Sequence, residues 1–193
     1  MSMTVIPIPP LLHDVLGKQQ TRSALLLISA AMAIALLAMA PALADIALWR
    51  SVLAALLIVD IAAGAIANLT AGTNEHYATR SPSRWVFLAV HVHLPVLALL
   101  LGAPLAPALT AWAATISGGV IVNLLAGRAV QRVAAGAIFA TILCVLPILP
   151  DQEPALLIAS SLFAFKVVYA FAVDHHADSR NGEVQHESTT RSS

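Results

Sequence analysis

Stretches without charged residues divide most of the chain into candidate membrane spans. About 20 consecutive apolar residues cross the ~30 Å hydrocarbon layer of a bilayer. Three stretches hold no charged residue at all, namely 23–44, 85–127 and 133–150. Two further apolar stretches enclose a single charge each, Asp60 in the first and Lys166 in the second. The pattern therefore predicts a chain that crosses a membrane several times.

The expected fold is an all-α, polytopic membrane helix bundle with six transmembrane helices. The longest uncharged stretch holds two of them, because Pro104 and Pro107 mark a turn between helices. The six helices are expected at residues 24–40, 50–70, 85–101, 107–126, 131–149 and 154–173. The whole chain divides into a cytoplasmic N-terminal segment 1–23, the bundle 24–174 and a disordered cytoplasmic tail 175–193.

The composition agrees with a membrane protein and excludes several other classes. Hydrophobic residues make up 59% of the chain and charged residues 10%, whereas a soluble domain has about 25% charged residues. This balance excludes a water-soluble enzyme, a disordered protein and a nucleic-acid binder. The single cysteine, Cys144, excludes a disulfide framework and a cysteine zinc site. The lipid bilayer is the first expected partner, and a homo-oligomer or a larger membrane complex is another.

The basic residues set the expected orientation. One side of the membrane carries eight of them, Lys18, Arg22, Arg80, Arg84, Arg128, Arg132, Arg180 and Arg191, and the other side carries only Arg50. Because cytoplasmic loops are enriched in Lys and Arg, both termini are expected in the cytoplasm. The protein is accordingly expected in the cytoplasmic (inner) membrane.

The first helix has a second interpretation as a signal peptide. Basic residues precede the apolar run, and Ala42-Leu43-Ala44 is similar to a signal-peptidase cleavage site. Removal of residues 1–44 would leave five spans in the same orientation. The apolar run is longer than the usual 7–15 residue core of a signal peptide, which favours a retained helix.

The second and fourth helices share a repeated pattern of small and polar residues. Gly64 and Asn68 in the second helix correspond to Gly119 and Asn123 in the fourth. Asp60 corresponds to Thr115 in the same way. The repeat therefore relates residues of about 50–101 to residues 107–149, and its two copies cross the membrane in the same direction. Residues four apart share one helix face, where glycines permit close helix contact. The repeat favours two readings that are compatible, a helix contact and polar groups of a binding cavity.

Ionisable residues lie within the spans at similar depth, among them Asp60, His91 and Lys166. Asp60 is roughly 18 Å from the cytoplasmic end of its helix, and Lys166 roughly 12 Å, at 1.5 Å per residue. His91 lies about level with them. Because isolated charges are costly in a bilayer, we expect an Asp60–Lys166 pair, with His91 as a proton relay, in a cavity open to the cytoplasm. Tyr169 is a further candidate cavity group. The alternative for Lys166 is snorkelling toward the headgroups.

The histidines suggest a metal ion without forming a specific motif. In a continuous helix His91 and His93 point about 200° apart, so only one can face a cavity. We expect His91 inward, on the face of Pro95, and His93 against a neighbouring helix. Imidazole and carboxylate ligands together bind zinc, iron or copper. The candidate metal ligands are His76, His93, Asp174, His175 and His176. Haem is disfavoured, because no second helix offers an axial histidine at the depth of His91.

Three functions fit these observations. The favoured one is a small transporter of a cation, a proton or a small polar solute, which is supported by the repeat and the buried ionisable groups. The second is an accessory or structural subunit of a larger membrane complex. The third is a membrane-embedded, metal-dependent enzyme that uses the histidines. The sequence favours a protein that is not an enzyme.

Overall fold

The computed structural model describes residues 5–78, 81–173 and 175, apart from the side chains of 14, 75–78 and 81–83. Within these residues, six helices are long and apolar enough to cross a membrane. They are Arg22–Ala44, Leu48–Ala67, Arg84–Leu101, Leu105–Leu124, Gln131–Ile148 and Pro154–Phe171. The prediction of six apolar helices is confirmed, and their ends lie within four residues of the expected positions.

Shorter elements surround and interrupt these six helices. In chain order the strands and α-helices are β1 Val5–Pro7, α1 His13–Leu16, β2 Gln19–Thr21, α2 Arg22–Ala44, α3 Leu48–Ala67, α4 Ala71–Ala78, α5 Ser81–Val90, α6 His93–Leu101, α7 Leu105–Leu124, α8 Gln131–Val145 and α9 Pro154–Ala164. Short 3₁₀ turns lie at Pro10–Leu12 and Leu146–Ile148. A π-helical segment, Phe165–Phe171, continues α9. We refer to α9 and this segment together as the last helix.

The N-terminal segment folds onto the bundle as a small antiparallel hairpin. β1 pairs with β2, and the buried Gln20 donates its side-chain amide to the hydroxyls of Thr70 (2.7 Å) and Thr73 (3.3 Å). Gly17 has a φ of +69°, and a side chain there would overlap the carbonyl of Gly72. The hairpin therefore seats on the turn between α3 and α4. No strand or helix was expected in residues 1–23.

The third span, expected at residues 85–101, is interrupted near its middle, and we call this break the bend. α5 ends at Val90 and α6 begins at His93, so two residues between them lie outside either helix. The cause is Pro95, which has no backbone N–H for the carbonyl four residues earlier, that of His91. The indole of Trp112 supplies the missing donor, at 2.8 Å from that carbonyl.

The last helix lies at the centre of the bundle. α3, α6, α7 and α8 all pack against it, and its side chains Phe163, Val167 and Val168 are fully buried. α2 covers α3 from outside and exposes leucines on its other face, as a lipid contact requires. The core is thus built around the helix that carries Lys166.

The central position of the last helix changes the interpretation of the repeat. α3 and α7 were expected to contact one another or to be pseudo-symmetric partners. Both helices pack against the last helix, while α3 also packs against α2, and α7 against α6 and α8. A Cβ at Gly64 would meet the side chain of Lys166, and a Cβ at Gly119 would lie 2.9 Å from that of Val167. The two glycines therefore accommodate successive residues of one third helix.

Side chains from three other helices hold the end of the last helix. The final carbonyls of a helix have no partner within it and carry a partial negative charge. Asn74 donates to the carbonyl of Val173 (3.2 Å), and the buried Gln131 donates to that of Ala172 (2.9 Å). Arg84 donates to the carbonyl of Phe171 (3.1 Å) and Arg132 to that of His175 (3.0 Å). Arg84 and Arg132 are two of the eight basic residues that set the expected orientation, and they also stabilise the end of the last helix.

Candidate intramembrane polar site

A cluster of four ionisable side chains lies where α3, the bend before α6 and the last helix meet. The cluster consists of Asp60, His91, His93 and Lys166, and we call it the polar cluster. Lys166 Nζ lies 2.6 Å from Oδ2 of Asp60 and 3.3 Å from the main-chain oxygen of the same residue. Asp60 comes from α3 and Lys166 from the π-helical segment, so the two charges join helices far apart in sequence.

Two local features bring the ammonium of Lys166 to Asp60. Gly64 follows Asp60 by one helical turn, and a Cβ there would overlap Cε of Lys166 and lie 3.1 Å from Nζ. The absent side chain at Gly64 therefore leaves the space in which the lysine stem runs along α3. Lys166 itself lies in the π-helical segment, a rare geometry that occurs frequently at functional sites.

His93 contacts the same carboxylate oxygen as Lys166. Its Nε2 lies 2.9 Å from Oδ2 of Asp60, so one acceptor serves two donors. This placement differs from the expectation that His93 packs against a neighbouring helix and that His91 alone faces inward. The rule of about 200° holds only in a continuous helix, and the chain leaves the helix between Val90 and His93.

His91 lies beside His93 and does not bond to the pair as the expected relay. The two imidazole rings are 4.7 Å apart between centroids. Nδ1 of His91 donates to the carbonyl of Phe87 at 2.5 Å, and its ring stacks on the ring of Phe87. Because a carbonyl oxygen only accepts, this bond fixes the proton on Nδ1 and leaves a lone pair on Nε2.

The polar cluster is enclosed on the side of the last helix and more open at Asp60. The side chain of Lys166 is 3% exposed, that of His93 17% and that of Asp60 33%. The ring of Phe87 lies 5.8 Å from the ammonium, and Phe163 borders both imidazoles. The carboxylate side of Asp60 is thus the most exposed part of the cluster.

The polar residues of the repeat other than Asp60 are also buried. Asn68 and Asn123 are both buried, as is Thr115. Among the described residues, Nδ2 of Asn68 and the hydroxyl of Thr115 have no hydrogen-bond partner. Tyr169 packs its ring against the rings of Phe165 and His175. Of the two copies of the repeat, only the copy in α3 contains an acid, Asp60. The corresponding residue in α7 is Thr115, which is uncharged.

The expected metal ligands divide into three groups. Asp174 and His176 lie outside the described residues, as does the side chain of His76. His175 is at the end of the last helix, where Nε2 bonds to the carbonyl of Tyr169 at 2.9 Å. His93 lies close to Asp60 and His91, which were not among the expected metal ligands. The ligand atoms of Asp60, His91 and His93 lie within 4.8 Å of one another, a grouping that differs from the expected set of metal ligands.

Several residues that shape the site had no assigned role in the sequence analysis. Trp112 was unexplained within its span, and it holds the bend that carries both histidines. Gln131 and Asn74 fix the end of the helix that carries Lys166. Pro95 was the available signal for the bend, because a proline inside a span frees a carbonyl that another group must satisfy.

Comparisons with protein-family models, with curated proteins and with solved structures find no match for this chain. What the polar cluster can do therefore rests on its geometry and its chemistry.

Proposed function

We propose that the protein is a multi-pass membrane protein that transports a small cation by way of Asp60. The observation that supports this most directly is the 2.6 Å contact of Lys166 Nζ with Asp60 Oδ2 between two apolar helices. A charged side chain at the centre of a transmembrane helix costs about 2.5–3.5 kcal/mol on insertion scales. Residues with such a cost are kept mostly where they face a partner or a pathway.

In this proposal Lys166 is a tethered cation that occupies the acidic site when no transported cation is bound. The ammonium neutralises Asp60, so the empty bundle does not hold an unpaired carboxylate. A transported cation that approaches from the more exposed Asp60 side takes over the carboxylate and releases Lys166. Because Lys166 lies on the central helix and Asp60 on α3, the exchange alters a contact between helices, as a transport cycle requires.

We place the protein in the cytoplasmic (inner) membrane with both termini in the cytoplasm. Support comes from the unequal distribution of basic residues between alternate loops. The first helix is retained in this proposal, since α2 packs along α3 and the N-terminal hairpin seats on the α3–α4 turn. A polar cavity from the cytoplasm to Asp60 belongs to the same proposal.

A metal-dependent membrane enzyme is a second candidate function. Two imidazoles and one carboxylate form the ligand set of many non-haem iron oxygenases. The observation that favours it is the close approach of Asp60, His91 and His93. Product formation from a lipid substrate, and no cation flux, would distinguish this function from transport.

Flux measurements in proteoliposomes test the transport proposal. Vesicles with internal fluorescent indicators receive gradients of H⁺, Na⁺ and Zn²⁺ in separate runs. At least one cation should enter vesicles that contain the wild-type protein, and Asp60→Asn should abolish that flux. Asp45→Asn is the matched control, because Asp45 is exposed and lies in the loop after α2. No Asp60-dependent flux of any of the three cations would overturn the proposal.

A further inference from the structure

The two imidazoles of the polar cluster each present a buried nitrogen without a partner. Among the described residues, Nε2 of His91 and Nδ1 of His93 are fully buried and accept no hydrogen bond. The large majority of buried side-chain polar atoms in proteins have a partner, so an orphaned atom calls for an explanation. The orphaned atom of His91 lies beside a second imidazole and a carboxylate, which points to a ligand that accepts electron pairs.

The partner on the far side of the His91 ring prepares this histidine to ligate a metal ion. The Phe87 carbonyl holds the proton of His91 on Nδ1, which leaves the Nε2 lone pair available. Metal-binding histidines almost always donate their other N–H to a carbonyl or a carboxylate, and this fixes the tautomer and the ring orientation. Nε2 of His93 faces Oδ2 of Asp60 at 2.9 Å, so an ion that replaces the proton between them would be bound by both residues.

We infer that Asp60, His91 and His93 bind a divalent first-row transition-metal ion, and that this ion is the transported cation. The inference rests on the proposed transport function for the second part only. Imidazole nitrogen with carboxylate oxygen suits Zn²⁺, Fe²⁺, Ni²⁺ and Cu²⁺, whereas Mg²⁺ and Ca²⁺ prefer oxygen ligands throughout. The ligand set therefore selects against the abundant alkaline-earth ions.

The spacing of the ligand atoms is close to what one ion requires. Ligands at 2.0–2.2 Å from one tetrahedral ion lie about 3.3–3.6 Å apart. The three ligand atoms lie within 4.8 Å of one another, so the widest separation must shorten by about 1.2–1.5 Å when the ion binds. Both histidines adjoin the non-helical residues between α5 and α6, where small backbone and side-chain rotations do not break a helix.

Without the metal, the ammonium of Lys166 neutralises the carboxylate of Asp60. This ammonium lies on Oδ2 of Asp60, where a bound ion would also seek a ligand. Two cations cannot share this oxygen at low cost, so the metal and the ammonium exclude one another from it. Lys166→Met should therefore raise the affinity for the metal, whereas loss of any of the three ligands should lower it.

Metal binding is measured on the full-length protein, purified in detergent through a tag without histidine. The probes are Zn²⁺, read by metal analysis after gel filtration, and Co²⁺, read by its visible absorption bands. We expect one ion per chain in the wild-type protein and at least a tenfold weaker affinity in His91→Gln and in His93→Gln. His13→Gln is the matched control, because His13 lies in the N-terminal segment. Gel-filtration profiles and melting temperatures check that each variant is folded.

The outcomes separate this inference from the transport proposal. Failure to bind Zn²⁺ and Co²⁺ by folded wild-type protein would overturn the inference, as would binding that both histidine variants retain. In either case an Asp60-dependent flux of H⁺ or Na⁺ would leave the transport proposal intact. Stoichiometric, histidine-dependent binding of Zn²⁺ without flux of Zn²⁺, H⁺ or Na⁺ would support the metal site and overturn transport.

Discussion

Trp112 donates its indole N–H to the main-chain carbonyl of His91, at 2.8 Å. This carbonyl is the one that Pro95 leaves without a helical partner, since proline has no backbone N–H. A residue of α7 thereby fixes the bend between α5 and α6, and the bend brings His91 and His93 to Asp60. The hydrogen bond between Trp112 and His91 thus helps to determine which side chains form the polar cluster.

Loss of the Trp112 donor should destabilise the protein. Trp112→Phe keeps an aromatic ring but leaves the His91 carbonyl without its partner, at a cost of about 1–3 kcal/mol. Pro95→Ala restores a backbone N–H to this region, so the double variant should recover part of the loss. Melting temperatures in detergent provide the measurement. A Trp112→Phe protein that melts with the wild type would show that the bond does not hold the bend.

Asp60 and Lys166 should compensate one another when both are neutralised. Asp60→Asn alone or Lys166→Met alone leaves one charge without its partner, which should lower the folded yield. Asn at position 60 keeps an acceptor for His93, so the double variant should regain yield while it loses transport. Fluorescence-detected gel filtration of tagged variants measures the yield.

Additive losses in that double variant would mean that the two charges do not interact. Lys18→Met is the control for removal of a basic residue, because Lys18 is exposed in the N-terminal segment. Its folded yield should remain near that of the wild-type protein.

Gly64 should be intolerant of even a methyl group. Its Cβ would overlap the stem of Lys166, so Gly64→Ala should displace the ammonium from Asp60 and lower both stability and transport. Gly136→Ala is the matched control, because no described atom lies within 4 Å of a Cβ there. That control should raise stability by about 0.5–1 kcal/mol, the usual gain for alanine over glycine within a helix. Equal melting temperatures for the two variants would contradict the proposed role of Gly64.

Gln131 should stabilise the bundle through its amide hydrogen bonds. Gln131→Met removes the donor from the carbonyls of Val122 and Ala172, and we expect a loss of about 1–3 kcal/mol. Gln152→Met is the comparison, since the Gln152 amide has no partner among the described residues and its loss should cost little. Chemical or thermal unfolding in detergent compares the two. A larger loss for Gln152→Met would argue against the hydrogen bonds as the cause.

Cysteine labelling tests the proposed orientation. Cys144 is exposed and is first replaced by serine, after which single cysteines are introduced at Ser193 and at Gln152. An impermeant maleimide applied to intact cells should label position 152 and not position 193. Periplasmic labelling of position 193 would contradict the orientation. Mass spectrometry of the purified chain tests the first helix, since a mature N-terminus at Asp45 would mean that residues 1–44 are removed.

The sequence by itself determined the number and the approximate limits of the six apolar helices. Helix length in a bilayer is set by the thickness of the hydrocarbon layer, so runs of apolar residues between charges locate the spans without tertiary information. It also identified Asp60 and Lys166 as costly residues, because a charge within an apolar run is visible in the chain alone. The repeat around Gly64 and Gly119 was visible for the same reason, as a spacing along one helix face.

The tertiary structure decided which residues meet. No local pattern shows that the last helix lies at the centre. The sequence therefore predicted α3 and α7 as close neighbours or pseudo-symmetric partners, but did not show that their glycines face successive residues of a third helix. The bend at His91 depends on a proline within the span and on a tryptophan from another helix that satisfies the freed carbonyl. Because a continuous helix separates His91 from His93 by about 200°, only this long-range contact could place both imidazoles beside Asp60.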